Sequence, residues 1–246
     1  MIKSVLFDLD ETLLDIDLNA YLRLYAVRHV QLLAQVARRP ALSLALPFAR
    51  ATSAMVGERD DDLTNAAFFA RRFGEATGIP LDDPVIASCV ECFDRVEFNP
   101  AAAARVRHAP MTGAREAVQA ALGMGLVVAL ATNPTFPLSC TRERMRWAGV
   151  DDLPFALVTS IETAHRTKPS ARYYREVAQA LGCEPAECLM VGNDPRYDFP
   201  EPDETGPCPI PTLYVGDRPD GRAAWSGSMA ELADALPAIV RARSQA

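Results

Sequence analysis

Asp8 and Asp10 are the first residues of this chain whose types and spacing could do chemistry. They lie two positions apart in the segment VLFDLDET, at the end of an apolar run. Side chains two apart in a strand point to the same face, and two like charges at close range raise the cost of ionising both. The pair therefore predicts that a cation lies beside it.

Other polar residues follow the later apolar runs, which we interpret as strands. In an open parallel sheet, ligands bind beyond the carboxyl ends of the strands. The residues at the predicted strand ends, with one lysine that precedes a helix, are Thr12, Thr132, Asn133, Lys168, Asn193, Asp194 and Asp198. Such oxygen donors would hold a hard divalent cation, while the lysine and hydroxyl groups would face an anionic substrate.

The elements that must position these residues form two blocks. From residue 112 onward strands and helices alternate, and a first strand at 3–9 precedes them. The stretch from about 15 to 105 instead has helical periodicity, with one helix from Leu18 that stops before Pro40 and others at 61–76 and about 83–96. Short apolar strands that alternate with helices predict a parallel sheet covered on both faces.

The predicted fold is thus α/β, a doubly wound parallel sheet with a large helical insert after its first strand. We assign residues 1–14 and 106–246 to the α/β core and residues 15–105 to the helical insert. The further strands of the core are expected at 125–132, 155–160, 188–192 and 212–215.

The bulk composition narrows the class of ligand. The chain has 246 residues, of which 49% are hydrophobic and 23% charged, and its net charge is -7. An acidic chain is a poor match for nucleic acid or a membrane surface, because both require clustered Lys and Arg. No apolar run approaches the ~20 residues that span a bilayer, and the segment MIKSVLF lacks a signal-peptide apolar region. We therefore expect a cytoplasmic protein with a small-molecule partner.

Four short motifs together resemble the haloacid dehalogenase superfamily of hydrolases. They occur in the order VLFDLDET, LATN, KPS and VGNDPRYD, each at a predicted strand or helix end. The resemblance covers the whole predicted α/β core. It implies a Rossmann-like core, and it identifies the helical insert with a C1-type cap.

The resemblance also implies a role for each motif residue. Asp8 would be the nucleophile that forms an aspartyl-phosphate, and Asp10 would protonate the leaving oxygen and later activate water. Thr132, Asn133 and Lys168 would bind phosphoryl oxygens, with Lys168 also holding Asp8. Asp194 would complete a Mg²⁺ site with Asp8 and the backbone carbonyl of Asp10. Thr12, Asn193 and Asp198 would support these groups.

Two questions stay open at this point. The fourth motif has Gly-Asn-Asp where the family usually has Gly-Asp, so either Asn193 or Asp194 could be the metal ligand; the charged Asp194 is preferred. The expected function is a Mg²⁺-dependent phosphohydrolase for a small phosphorylated metabolite. Alternatives are a phosphomutase, a dehalogenase of the same superfamily, or a non-catalytic member that binds phosphate or a partner protein.

Overall fold

A computed structural model describes residues 1–204 and 206–245 of the chain. Its strands are β1 Ser4–Phe7, β2 Leu14–Ile16, β3 His108–Pro110, β4 Val127–Leu130, β5 Leu157–Val158, β6 Cys188–Gly192, β7 Thr212–Val215 and β8 Trp225–Gly227. Its α-helices are α1 Leu18–Ala37, α2 Ala41–Val56, α3 Asn65–Thr77, α4 Pro84–Phe93, α5 Asn99–Arg105, α6 Ala114–Gly123, α7 Leu138–Trp147, α8 Ala171–Ala180 and α9 Met229–Gln245.

Six strands form one parallel sheet in the order β5-β4-β1-β6-β7-β8. Every residue of β1 is buried, because the strand lies at the centre of the sheet and is covered on both faces. One apolar cluster packs α6 and α9 against the sheet, and a second packs α8 against it. The fold is therefore the predicted α/β doubly wound sheet.

Strand β1 lies between β4 and β6, and this order decides what meets at the sheet edge. Phe7, the last residue of β1, is paired with Leu130 of β4 on one side and Val191 of β6 on the other. The residues that follow these three strands therefore leave the sheet side by side, as the sequence predicts for the motifs.

A small antiparallel pair, β2 and β3, joins the sheet to the helical insert. Leu14 pairs with Pro110 and Ile16 pairs with His108, so the chain leaves and re-enters the core at one place. Helices α1 to α5 lie between these two strands in sequence. The insert has its own apolar core, which contains residues of α1, α2 and α3. The sequence did not predict β2 and β3 because each is only three residues long.

Helix α2 is not among the helices predicted for residues 15–105, and it contains Pro47. Proline removes one backbone hydrogen bond and disfavours a helix interior. The helix forms nevertheless, and one of its faces is buried in the core of the insert through Leu44, Phe48, Ala51 and Met55. Packing of an amphipathic face commonly outweighs local propensity.

The helix expected at about 83–96 has a different form. Helix α4 ends at Phe93, and a π-helical turn at Asp94–Phe98 connects it to α5. Asp94 is buried in this turn and accepts a hydrogen bond on Oδ1 from His29 Nε2, with the two atoms 2.7 Å apart. Among the residues that the structure describes, no helix is both long and apolar enough to cross a membrane.

Candidate active site

A buried chain of charges lies at the carboxyl edge of the sheet. Lys168 Nζ donates to Asp8 Oδ1 at 2.7 Å and to Asp198 Oδ1 at 2.6 Å. All three side chains are buried, with Lys168 only 1% exposed. Asp8 directly follows β1, and its backbone N–H donates to the carbonyl of Val191. The structure thus brings together three residues that are up to 190 positions apart in the sequence.

Burial and charge perturb the ionisation of this cluster. Burial raises the pKa of Asp8 to about 7; the charge of Lys168 opposes that rise, while those of Asp198 and Asp10 add to it. Burial would lower the pKa of Lys168, but Asp198 and Asp8 outweigh it and hold this pKa above its usual range. Lys168 is therefore a cation at neutral pH, and Asp8 is poised near its titration point. A strongly perturbed carboxyl group at a strand end is typical of a functional site.

Asp198 is held from two directions. Its Oδ1 accepts from Lys168, and its Oδ2 accepts from the backbone N–H of Asp194 at 2.9 Å. Gly192, the last residue of β6, lies so close to this carboxylate that a Cβ atom at position 192 would overlap it. The glycine of the fourth motif therefore leaves room for the carboxylate of Asp198 beside Lys168.

Asp10 faces a residue that the sequence analysis did not single out. Arg144 Nη1 of α7 donates to Asp10 Oδ2, and the side chain of Arg144 is fully buried. The other carboxylate oxygen, Asp10 Oδ1, is buried and has no hydrogen-bond partner among residues 1–204 and 206–245. In the sequence, Arg144 belongs to the charged segment TRERMRW, which is typical of an exposed helix. Most neighbours of Arg144 in the sequence are charged or polar, so the sequence does not indicate that this side chain is buried.

Thr132 and Asn133 follow β4 next to β1. Thr132 is 2% exposed, and its carbonyl accepts hydrogen bonds from Tyr173 Oη at 2.9 Å and Thr159 Oγ1 at 2.8 Å. These bonds fix the backbone at the end of β4. Asn133 Oδ1 is a second buried oxygen without a partner in the described part of the chain. Polar groups left unpaired at a sheet edge are candidates for ligand contacts.

The two candidates in the fourth motif make different contacts. Asn193 Oδ1 accepts from Thr12 Oγ1 at 3.0 Å, so this amide is joined to the loop that follows Asp10. Asp194 is instead bound by Arg196, whose Nη2 lies 2.6 Å from Asp194 Oδ2. Hydrogen bonds from Arg196 hold the pKa of Asp194 below its usual range. Arg196 is largely exposed, and an exposed ion pair of this kind is weak and easily exchanged.

A divalent cation fits the chemistry of this edge. Within the described residues, three or more His, Cys, Asp or Glu side chains do not form a ready-made metal-binding group. The available donors are carboxylate and amide oxygens, which hard cations prefer. The ion pairs of the buried cluster join the three carboxyl groups of Asp8, Asp10 and Asp198 to the two cations of Lys168 and Arg144, so acidic groups outnumber basic groups there.

Comparison with known proteins identifies the family. A family model described as haloacid dehalogenase-like hydrolase matches residues 2–200. No curated protein matches the chain in sequence.

Solved structures resemble the fold over nearly its whole length. A HAD phosphatase from Thermococcus onnurineus aligns with a TM-score of 0.53 at 20% identity and covers 96% of this chain and 98% of its own. A HAD family hydrolase from Deinococcus radiodurans R1, with bound phosphate and sodium, aligns with a TM-score of 0.51 at 21% identity over 97% and 96% of the two chains. A 2-haloacid dehalogenase from Pseudomonas syringae pv. Tomato DC3000 aligns with a TM-score of 0.57 at 18% identity over 98% and 99%.

These structural likenesses, all at low identity, establish the fold and leave the reaction open between phosphate and haloacid chemistry. The family match covers most of the sequence and includes the strand ends that carry the charged cluster. The chain therefore belongs to the haloacid dehalogenase-like hydrolase family.

Proposed function

We propose that this hydrolase is a Mg²⁺-dependent phosphatase that acts on a small phosphorylated metabolite through an aspartyl-phosphate intermediate. The observation that carries the proposal is the pair of acids after β1: Asp8 is bound by Lys168 at 2.7 Å, and Asp10 stands two residues further along. A haloacid dehalogenase attacks carbon and has no use for a second acid at that position. A phosphatase needs one, because the departing alkoxide must receive a proton.

Each residue of the cluster has a distinct part in this reaction. Asp8 attacks phosphorus, and Lys168 orients its carboxylate and neutralises charge on the phosphoryl oxygens. Asp10 protonates the leaving oxygen and then takes a proton from the water that attacks the phosphoenzyme. Thr132 and Asn133 donate hydrogen bonds to the phosphoryl group. Phosphoryl transfer depends mainly on positioning and charge stabilisation. The main task of these side chains is therefore to hold the reacting groups in place and to offset their charge.

Asp8, the backbone carbonyl of Asp10 and Asp194 would hold Mg²⁺. When bound, the ion would offset the repulsion between the Asp8 carboxylate and an anionic phosphate. For Asp194 to take part, its carboxylate must leave or share the exposed guanidinium of Arg196. Because exposed ion pairs contribute little free energy, the Asp194 carboxylate can change partner from Arg196 to the metal at small cost.

We further propose that residues 15–105 act as a cap over this site. The cap would exclude water and select the substrate. Support comes from Asn65 at the start of α3, which is fully buried and donates to the carbonyls of Pro134 and Arg166 at 3.1 Å each. Pro134 follows Asn133, and Arg166 lies two residues before Lys168. The insert is thus attached to both loops that carry phosphate-binding residues.

The test is a matched pair of assays on the purified protein. Wild type should release phosphate from p-nitrophenyl phosphate in Mg²⁺ and should stop when a chelator is added, while Asp8→Asn should release none. The same protein should release no halide from 2-chloropropionate. Halide release without phosphate release would identify a dehalogenase instead. Phosphate binding without turnover would identify a non-catalytic member, and transfer of the phosphoryl group to a second substrate hydroxyl would identify a mutase.

A further inference from the structure

Arg144 is completely buried next to the proposed acid. Its Nη1 donates to Asp10 Oδ2, whereas its other contacts are longer: Nε lies 3.4 Å from the carbonyl oxygen of Cys140, and Nη2 lies 3.4 Å from Thr141 Oγ1. The faces of the guanidinium are covered by aromatic rings, with the ring centre of Tyr21 at 5.1 Å and that of Phe136 at 4.6 Å. Packing therefore fixes the guanidinium plane, and Asp10 is its ionic partner.

A buried arginine is unfavourable unless a carboxylate compensates its charge. Arg144 is always charged, because guanidinium groups do not lose their proton in proteins. It lies on α7, which follows the β4 loop, so it reaches Asp10 from a different part of the fold than Lys168 reaches Asp8. The two acids of the first motif are thus held by two separate cations.

We infer that Arg144 is a positioning residue that fixes Asp10 for proton transfer; this rests on the proposed phosphatase function. The guanidinium occupies Asp10 Oδ2, while Oδ1 has no hydrogen-bond partner in the described part of the chain. Oδ1 is therefore the carboxyl oxygen left free to contact the substrate or the attacking water. Tyr21 of α1 packs on the guanidinium, so the helical insert also contributes to the orientation of the acid.

The proton and bond changes balance over two steps. In the first, a carboxylate oxygen of Asp8 bonds to phosphorus, the ester P–O bond breaks, and the proton on Asp10 Oδ1 moves to the departing oxygen. In the second, water attacks phosphorus, its proton moves to Asp10 Oδ1, and the bond from phosphorus to Asp8 breaks. Arg144 stays protonated throughout. Asp10 Oδ2 can accept its hydrogen bond both as a carboxylate oxygen and as the carbonyl oxygen of the protonated acid, so Asp10 keeps one orientation in both steps.

The test compares Arg144→Met with wild type on two esters, p-nitrophenyl phosphate and a simple alkyl phosphate. A nitrophenolate leaves without help, whereas an alkoxide needs the proton. We expect kcat/KM for the alkyl ester to fall by about 10- to 100-fold, since a positioned acid contributes factors of this order or more. For p-nitrophenyl phosphate kcat/KM should stay within about threefold of wild type, because kcat/KM reports only the first step.

A second readout follows the phosphoenzyme. Because Asp10 also assists its hydrolysis, Arg144→Met should release an initial burst of nitrophenol close to one equivalent per site. Arg144→Lys, which keeps the charge but has a shorter reach and no fork, should fall between wild type and the Met variant in both readouts. If the Met variant does not fold, as judged by circular dichroism, the Lys variant carries the same comparison.

Asp94→Asn is the matched control, because it alters another buried polar contact, the hydrogen bond between His29 and Asp94, which does not involve Arg144 or Asp10. It should lower the melting temperature and leave the ratio of the two kcat/KM values unchanged. If Arg144→Met lowers both kcat/KM values equally and shows no burst, Arg144 only supports the fold and the inference is overturned. A wild-type protein that hydrolyses neither ester would overturn the proposed function itself, and this role with it.

Discussion

Lys168 and Asp198 form a buried ion pair at the carboxyl edge of the sheet, with Nζ and Oδ1 2.6 Å apart. Their side chains are 0% and 2% exposed, and Lys168 also binds Asp8. Lysine is a compact charge that loses much hydration on burial, so it requires compensation by carboxylates. Asp198 therefore provides a second carboxylate that keeps the ammonium of Lys168 in place beside Asp8.

Asp198→Asn should destabilise the protein by about 3 kcal/mol, because the buried Lys168 loses one of its two carboxylate partners. In the wild type, both carboxylate oxygens of Asp198 accept hydrogen bonds, one from Lys168 and one from the backbone N–H of Asp194. An asparagine would place its NH₂ group, a donor, against one of these two donors. Urea denaturation measures the free energy of unfolding. Asp220→Asn, which removes a surface pair with Arg222, is the control and should cost much less. Equal losses in the two variants would contradict the supporting role of Asp198.

The pKa of Asp8 predicts a pH-dependent effect of Asp8→Asn on the metal-free protein. Burial raises this pKa from 3.8 to about 7, so between these values the folded state retains a proton that the unfolded chain has lost. The stability of wild type therefore falls as pH rises through that window, and Asp8→Asn lacks this loss. In chelator, the variant should become progressively more stable than wild type from pH 4 to 7 and level off above. A stability difference that does not change with pH would contradict the assigned pKa.

Variants of the fourth motif test which residue binds the metal. Asp194→Ala should raise the Mg²⁺ concentration for half-maximal activity by at least about tenfold, since loss of even a supporting group costs that much. Asn193→Ala should have a smaller effect, because its amide is used by Thr12. Arg196→Ala frees the Asp194 carboxylate and should not weaken binding. A larger effect for Asn193→Ala than for Asp194→Ala would assign the ligand to Asn193.

The strands of the sheet and the polar residues at their ends could largely be predicted from the sequence, because apolar runs and the polar residues that follow them are local features of the chain. The buried run before Asp8 predicts β1, and the order of the motifs places Lys168 near it. Arg144 is not readable in the same way, since its burial depends on Asp10 and on rings from distant segments. Helix α2 and its Pro47 show the same limit: tertiary burial of one face decides the structure against a local signal.

The choice between Asn193 and Asp194 depends on side-chain partners that spacing does not encode. Thr12 donates a hydrogen bond to Asn193, and Arg196 donates one to Asp194. All four are polar loop residues, so their types alone do not predict this pairing. Periodicity predicts which strands end at the site, but hydrogen-bond partners decide where each side chain points.

The phosphorylation state of Asp8 during turnover tests the central claim most directly. The enzyme is mixed with p-nitrophenyl phosphate and Mg²⁺, quenched in acid within the first turnovers, digested and analysed by mass spectrometry. We expect one phosphoryl group on the peptide that contains Asp8, and none in Asp8→Asn. An unmodified Asp8 peptide in an enzyme that is releasing phosphate, or a phosphoryl group on another residue, would contradict the account.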